Sequence, residues 1–383
     1  MNKSIYIKAH ASISALGHEP LAIAENGFNH RAQFSTLDGL PVAKLHPESK
    51  IALDQFISKH RHLKQTDLVV QQALFLADIL NNKHSFDKNL LINIGSSRGA
   101  SLSLESQYQN FTENNKLSVY TSPHTTLGFL STAIGQYLEA KGAHFSHSMT
   151  CSTALHSLCN AYAWIQSGLT NAALCGGSEA CISPFSLAMF SKLGIYQKQT
   201  QLDFPCRPLD KNADKNSMVL GEGAALFYVD DNKEGAIAEI EGLGFSTEQT
   251  EHLAGISENG KAYFESMSAA CGNQDLSAID YVFLHAPGTL KGDQAELKAI
   301  KTLFGNQQPN LYSTKCLQGH TLGASGALSL DFALQIFKNQ TNIDFPYPSV
   351  NQNTKFKKPI ERILINAAGF GGNSVSVLVK NLL

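Results

Sequence analysis

Charge is scarce in this chain. Only 16% of its 383 residues are Asp, Glu, Lys or Arg, and the formal net charge is −2. A chain so balanced sets up no strong basic field for phosphates, which argues against nucleic acid as the main partner. Cysteine pairs are missing too. The seven cysteines stand singly at 151, 159, 175, 181, 206, 271 and 316. With no C-x-x-C among them, neither a disulfide framework nor a zinc knuckle is indicated. No run of about 18 apolar residues is present, and the opening MNKSIYIKAHASISAL lacks the apolar core of a secretory signal. The expectation is a soluble, cytoplasmic protein with reduced thiols and no membrane contact. Short repeats and low-complexity tracts are also lacking, so the chain reads as globular throughout.

What is present is an alternating pattern. Stretches such as SIYIKAHASIS, NLLINIGSS, GAHFSHSMT, NAALCGGS, AALFYVDD, AIAEIEGLGFS, YVFLHAPG, RILINAAGF and SVSVLVKNL read as strands, and helical periodicities separate many of them. Such alternation predicts an α/β fold with a mostly parallel, covered sheet. The charged turn YVDDNKEGA divides two stretches of similar grammar, predicting halves at 1–230 and 231–383. Low charge together with 29 glycines points to much internal surface, within the fold or at a subunit interface.

One stretch poses the functional question. In MTCSTALHSLCNAYAWIQSG, Ala154, Leu155, Leu158, Ala161, Tyr162 and Ile165 fall at helical spacing, and Ser167-Gly168 makes a helix end. Cys151 therefore lies at or just before a first helical turn, where unpaired N–H groups favour thiolate over thiol. Free cysteine is equally at home as a small buried apolar residue, so this stretch alone leaves both readings open. Cys159 has no such setting and reads as core.

Two later segments add partners. His285 ends an apolar strand in YVFLHAPGTLKGDQAEL, before a Pro-Gly turn, and His320 lies in a Gly-bracketed turn of STKCLQGHTLGASGALSL, five residues after Lys315. A histidine at a strand end is commonly structural. In parallel sheets, however, the carboxyl ends of strands converge on one crevice, which would place a nucleophile beside two polar partners.

With these segments in view, the chain resembles the β-ketoacyl-ACP synthases, condensing enzymes of the thiolase fold. The likeness runs in order through TCSTALHSLCNAYAWIQSG, ALCGGSEACISP, RPLDKNADKNSMVLGEGAA, HAPGTLKGDQAEL, STKCLQGHTLGASGA and NAAGFGGNSVSV. IGSSRGA, SPHTTLGF and the modest length are similar to synthases of aryl-polyene and flexirubin pigment pathways.

The resemblance implies two βαβαβαββ halves in a five-layer αβαβα arrangement, usually dimeric. It implies Cys151 as the acyl-accepting nucleophile, His285 and His320 as the pair that promotes malonyl decarboxylation, and Lys315 as the lysine organising them. The backbone N–H groups of Cys151 and Phe370 match the oxyanion donors. Phe370 also matches a gating ring over the acyl pocket, within a Gly-rich loop (Gly369, Gly371, Gly372) that approaches substrate closely. Thr289 matches a threonine of the pantetheine tunnel. The basic run SKHRHLK, which by itself reads as a solvated helix start, matches a docking site for acyl carrier protein through Lys59, Arg61 and Lys64. No metal or organic cofactor is implied, since substrates arrive on the carrier's phosphopantetheine. Asp210, Asn212, Asp214 and Asn216 alternate as in an EF-hand, but Lys215 and Gly221 fall where glycine and glutamate are required.

Four positions depart from the family pattern. Pro287 stands for a tunnel threonine, Ser329 for a glutamate that pairs with the lysine, Ala368 for a gating phenylalanine and Asn373 for a threonine. Without that glutamate, Asp293 is the expected partner of Lys315. These departures keep open a second reading, a chain-length-factor-like partner subunit in a ketosynthase heterodimer. The retained cysteine opposes it. A degradative thiolase needs a second cysteine near NAAGFGGNSV, and a chalcone-type synthase needs asparagine in place of His320, so neither fits.

Overall fold

Most of the apolar stretches become strands in the computed structural model, which describes residues 3–84, 86–250, 255–350 and 359–383. In chain order they are β1 (Ile5–Ile13), β2 (Ser35–Leu37), β3 (Leu40–Val42), β4 (Leu91–Gly95), β5 (His144–Phe145), β6 (Ala172–Glu179), β7 (Gly223–Asp230), β8 (Ala238–Thr247), β9 (Tyr281–Phe283), β10 (Asn310–Tyr312), β11 (Arg362–Gly369) and β12 (Asn373–Asn381). GAHFSHSMT yields only the two-residue β5. The short β10 and the small β2–β3 hairpin carry too little pattern to be read in advance.

Ten strands hydrogen-bond in the order β10-β9-β11-β12-β8-β1-β7-β6-β4-β5. This is a duplication: the first half, read from the junction, runs β1-β7-β6-β4-β5, and the second repeats it as β8-β12-β11-β9-β10. The halves join where Ile5, Tyr6 and Ile7 pair antiparallel with Ile240, Glu239 and Ala238. The expected mostly parallel sheet is corrected to a mixed one. Three strands of each half run parallel, β5-β4-β6 and β10-β9-β11. β7 and β12 run antiparallel to both of their neighbours. The reason is plain for β12: only three residues separate it from β11, too few for a parallel crossover.

The third strand that each half adds in chain order to the ten-stranded sheet, β5 in the first and β10 in the second, leads to a central helix, Thr153–Gln166 and Ser325–Asn339 respectively. These two helices pack on each other and on strands of both halves. Every residue from Ser325 to Phe337 is buried, as expected of a helix covered on all sides. Helices Leu68–Lys83 and Phe129–Tyr137 cover the outer face of the first half-sheet, and Lys261–Cys271 with Leu290–Phe304 that of the second. The result is the five-layer αβαβα arrangement. Among the described residues no helix is long and apolar enough to cross a membrane.

Candidate active site

Cys151 lies one residue before Ser152, the N-cap of the helix Thr153–Gln166. The preceding Thr150 adopts φ 53°, a left-handed conformation that a β-branched residue rarely takes and that local contacts must hold. Here Thr153 Oγ1 donates to the Thr150 carbonyl (2.6 Å) and accepts from the Met149 N–H (2.8 Å), locking the turn. The sequence places the thiol correctly but misjudges its state. Cys151 is 7% exposed, and burial pushes its thiol up to about 12. The nearby Glu179 carboxylate adds to this, and Lys315 opposes it. At neutral pH the resting sulfur is therefore a thiol; in this setting desolvation outweighs the helix end.

The other half supplies the imidazoles. His285 follows β9, His320 follows the short helix Lys315–Gln318, and both rings are buried. They meet edge to face, their centroids 5.3 Å apart. Burial holds both well below the ordinary histidine range, the Lys315 charge pushing the same way, and for His285 the His320 ring too. Both are neutral at physiological pH, each with one N–H to offer. Their Nδ1 atoms are buried with no hydrogen-bond partner among the described residues.

Lys315 is 2% exposed. Burial lowers its pKa, while Glu296, ahead of Cys206, Cys151 and Asp293, supports the charged form. Of the two carboxylates that favour its charged form, Glu296 acts more strongly than the expected Asp293, and among the described residues neither forms an ion pair with Lys315. Asp293 is already occupied, accepting from the N–H groups of Leu209, Gly288 and Thr289. Ser329 bonds Thr314 Oγ1 at 3.1 Å.

Glu296 is the residue that sequence reasoning missed. One of its oxygens accepts the His285 N–H at 2.9 Å and the other the Ala286 N–H at 2.8 Å, while Asn366 Nδ2 donates at 3.0 Å. It fixes the strand end that carries His285. A signal existed: Asp293 and Glu296 fall at core-facing positions of Leu290–Phe304, in register with Ile300 and Phe304. Carboxylates on an apolar helical face call for an internal role. Glu179 was likewise passed over. Fully buried, it accepts from Ser96 Oγ, Ser97 N and Oγ, Arg98 N and Gly323 N, tying the loop after β4 to the turn after His320.

The Gly-rich segment is the β11–β12 turn, with Gly369 opposite Asn373. Gly371 and Gly372 take φ 91° and 71°, and a Cβ on Gly369 would lie 1.7 Å from Thr150 Oγ1. The hairpin therefore rests directly on the turn before Cys151. The Phe370 ring, at the turn's tip, is exposed.

Thr289 begins the helix Leu290–Phe304, half-buried beside a cleft of about 730 Å³ that Arg207, Lys215, Ser217 and Leu290 help to line. Ser217 N donates to the Gly288 carbonyl at 2.7 Å, so the cleft is tied to the segment leading back to His285. Lys59, Arg61 and Lys64 are exposed, on the last residue of the helix Pro47–Lys59 and on the turn Arg61–Gln65. The basic run thus ends one helix and begins the short 3-10 helix Arg61–Gln65.

A buried thiol thus stands before the central helix of one half, and two buried imidazoles with a buried lysine stand in the other half of a duplicated scaffold. The family profiles agree. "Beta-ketoacyl synthase, N-terminal domain" matches residues 56–234 and "Beta-ketoacyl synthase, C-terminal domain" matches 237–344. The chain belongs to the β-ketoacyl synthase family. It is 26% identical over 360 residues to 3-oxoacyl-[acyl-carrier-protein] synthase 2 of Vibrio cholerae, covering 86% of each. In fold it is similar to the ishigamide ketosynthase/chain length factor, with TM-score 0.87, 18% identity and all of both chains covered. It is also similar to a ketosynthase in complex with its chain length factor from Xenorhabdus doucetiae, with TM-score 0.79, 20% identity and 99% and 98% covered.

Proposed function

We propose that this protein is a β-ketoacyl-ACP synthase that joins malonyl-ACP to an acyl group held on Cys151, by decarboxylative Claisen condensation. The observation that carries this reading is the joining of buried Cys151, from one half, with neutral His285 and His320 and buried Lys315, from the other. In the first step the Cys151 sulfur attacks the carrier-bound thioester, and the carrier's thiol leaves with the proton that Cys151 gives up. A thioester results, which conserves activation. In the second step malonyl loses CO2, and the electron pair left behind forms an enolate. N–H groups of His285 and His320 hydrogen-bond its oxygen, each worth about 3 kcal/mol by analogy with other oxyanion holes. The carbanion then attacks the Cys151 thioester. The backbone N–H groups of Cys151 and Phe370 receive the charge of that intermediate, and the sulfur is released.

The substrates ride on an acyl carrier protein, and no further cofactor takes part. Thr289, Gly369, Gly371 and Gly372 line the approach of the pantetheine arm. Lys59, Arg61 and Lys64 meet the acidic carrier. The working unit is a dimer in the cytoplasm, with halves divided after Asp230, and the pathway is fatty acid or pigment polyene synthesis. The test is intact mass after incubation with medium-chain acyl-ACP, followed by malonyl-ACP. Acylation that depends on Cys151 and a ketoacyl product support the reading.

A second reading is a chain-length-determining partner subunit. It is favoured by Ser329, which offers Lys315 no carboxylate, and by the high pKa of the Cys151 thiol. A folded protein that takes up no acyl group from several chain lengths, yet forms a lasting hetero-assembly by native mass, would establish it instead.

A further inference from the structure

The hydrogen bonds of Asn373 link two segments that are far apart in the chain. Its side chain is buried at the first residue of β12. Nδ2 donates to the Phe370 carbonyl at 2.9 Å and reaches Thr150 Oγ1 at 3.5 Å. Because the Phe370 carbonyl can only accept, the amide nitrogen must face it, and Oδ1 is turned toward Ser152. Ser152 Oγ lies 2.5 Å from Oδ1 and 2.7 Å from the Met149 carbonyl, its one proton shared between these acceptors. One amide thus touches the residue before the nucleophile, the residue after it and the peptide at the tip of the Gly-rich hairpin.

The backbone around this amide is held in unusual shapes on both sides. Thr150 is at φ 53° and Gly371 at φ 91°, and Gly369 has no room for a Cβ against Thr150. Neither turn can shift alone without breaking a bond of Asn373 or closing on its neighbour. A side chain with both a donor and an acceptor is needed to satisfy the Phe370 carbonyl and the Ser152 hydroxyl together, and Asn supplies both.

We propose that Asn373 is a positioning residue that ties the hairpin to the Cys151 turn, so that the N–H groups of Phe370 and Cys151 keep a fixed relation during acyl transfer. The inference rests on the condensing-enzyme reading above and adds a specific dependence. Acyl transfer to Cys151 needs both N–H groups, whereas decarboxylation of malonyl uses the His285 and His320 side. Loss of Asn373 therefore separates the two half-reactions.

The test compares wild type with Asn373→Ala, Asn373→Asp and Ser152→Ala. Cys151 acylation by acyl-ACP is followed by intact mass, and CO2 release from malonyl-ACP is measured separately. Asn373→Ala is expected to slow acylation about tenfold or more, while decarboxylation changes less than about threefold, in line with misplacement of one oxyanion donor. Asn373→Asp, which cannot donate to the Phe370 carbonyl, is expected to resemble Asn373→Ala. Equal losses in both half-reactions, or no loss in acylation, overturn the proposal. Hydrogen exchange of the peptide spanning 369–373 gives a second readout that needs no turnover. Ser152→Ala, more than two hundred residues away in sequence, is expected to speed exchange of that hairpin, and unchanged exchange overturns the coupling. If wild type neither takes up acyl groups nor releases CO2, the condensing reading fails, and the exchange result still decides the coupling.

Discussion

In the first half, the path from the third strand into the central helix ends in a tight turn: Thr150 at φ 53° presents Cys151, and the helix begins at Thr153. In the second half, the corresponding path from β10 to Ser325 holds the helix Lys315–Gln318, then His320, then a tight turn at Leu322–Ala324 with Leu322 at φ 41°. Both halves thus bend a non-glycine residue into left-handed backbone just before their central helix. The short path delivers one sulfur beside a helix start. The longer path delivers a cation and an imidazole. Duplication places each turn just before a central helix, and the difference in length lets one half carry a buried cysteine there and the other a buried lysine and an imidazole.

The sharpest way to break this comparison is to remove the sulfur. Cys151→Ala is expected to abolish the acyl adduct seen by intact mass, with the fold retained by circular dichroism. Next, His285→Ala or His320→Ala is expected to lower CO2 release from malonyl-ACP by about 10²–10³-fold, the loss typical of one oxyanion donor. Acylation of Cys151 then continues, and an equal fall in both steps would refute the division of labour. Third, Glu296→Ala leaves the His285 and Ala286 N–H groups buried without an acceptor and removes the carboxylate that most favours the charged form of Lys315. A loss of about 1–3 kcal/mol for each orphaned N–H is expected in denaturant unfolding, together with slower decarboxylation.

The state of the thiol gives a fourth measurement. With its pKa pushed up to about 12, the reactive thiolate fraction of Cys151 grows with pH throughout the accessible range. Its alkylation by iodoacetamide is expected to rise about tenfold per pH unit from about pH 7 to 10, without the levelling near 8.5 of an ordinary thiol. Levelling near 8.5 would mean that the thiol is stabilised as sequence position alone suggests. The smallest effect belongs to the surface. Replacing Lys59, Arg61 and Lys64 together by Glu is expected to raise KM for acyl-ACP several-fold with kcat little changed, and added salt shrinks the difference.

The site was legible in part. Cys151, His285 and His320 could be singled out as candidates because each follows a strand or starts a turn beside an apolar periodic segment, a local pattern; the roles expected of them, and of Lys315, came from the family resemblance. The electrostatics were not legible. The helix-end argument for Cys151 compared the residue with solvent, whereas its real surroundings include Glu179 and a buried core assembled from distant segments. The surroundings of Lys315 were misjudged for the same reason: Asp293 and Glu296 are three residues apart on one helix, and both carboxylates are engaged by backbone N–H groups, Asp293 by Leu209, Gly288 and Thr289 and Glu296 by His285 and Ala286. The parallel character of the sheet was overread because strand patterns do not record direction.

Local sequence therefore determined the elements, the twofold grammar of the chain and the chemical types available at each turn, since periodicity and turn residues act over a few positions. The tertiary structure alone decided protonation, pairing and contact. It set Cys151 as a thiol, tied Glu296 to the backbone at His285 and Ala286, and placed Asn373 across the Cys151 turn and the Gly-rich hairpin. Desolvation and hydrogen bonding depend on which surfaces meet, and those surfaces come from segments separated by anything from about a dozen residues, as for His285 and Glu296, to more than two hundred, as for Ser152 and Asn373.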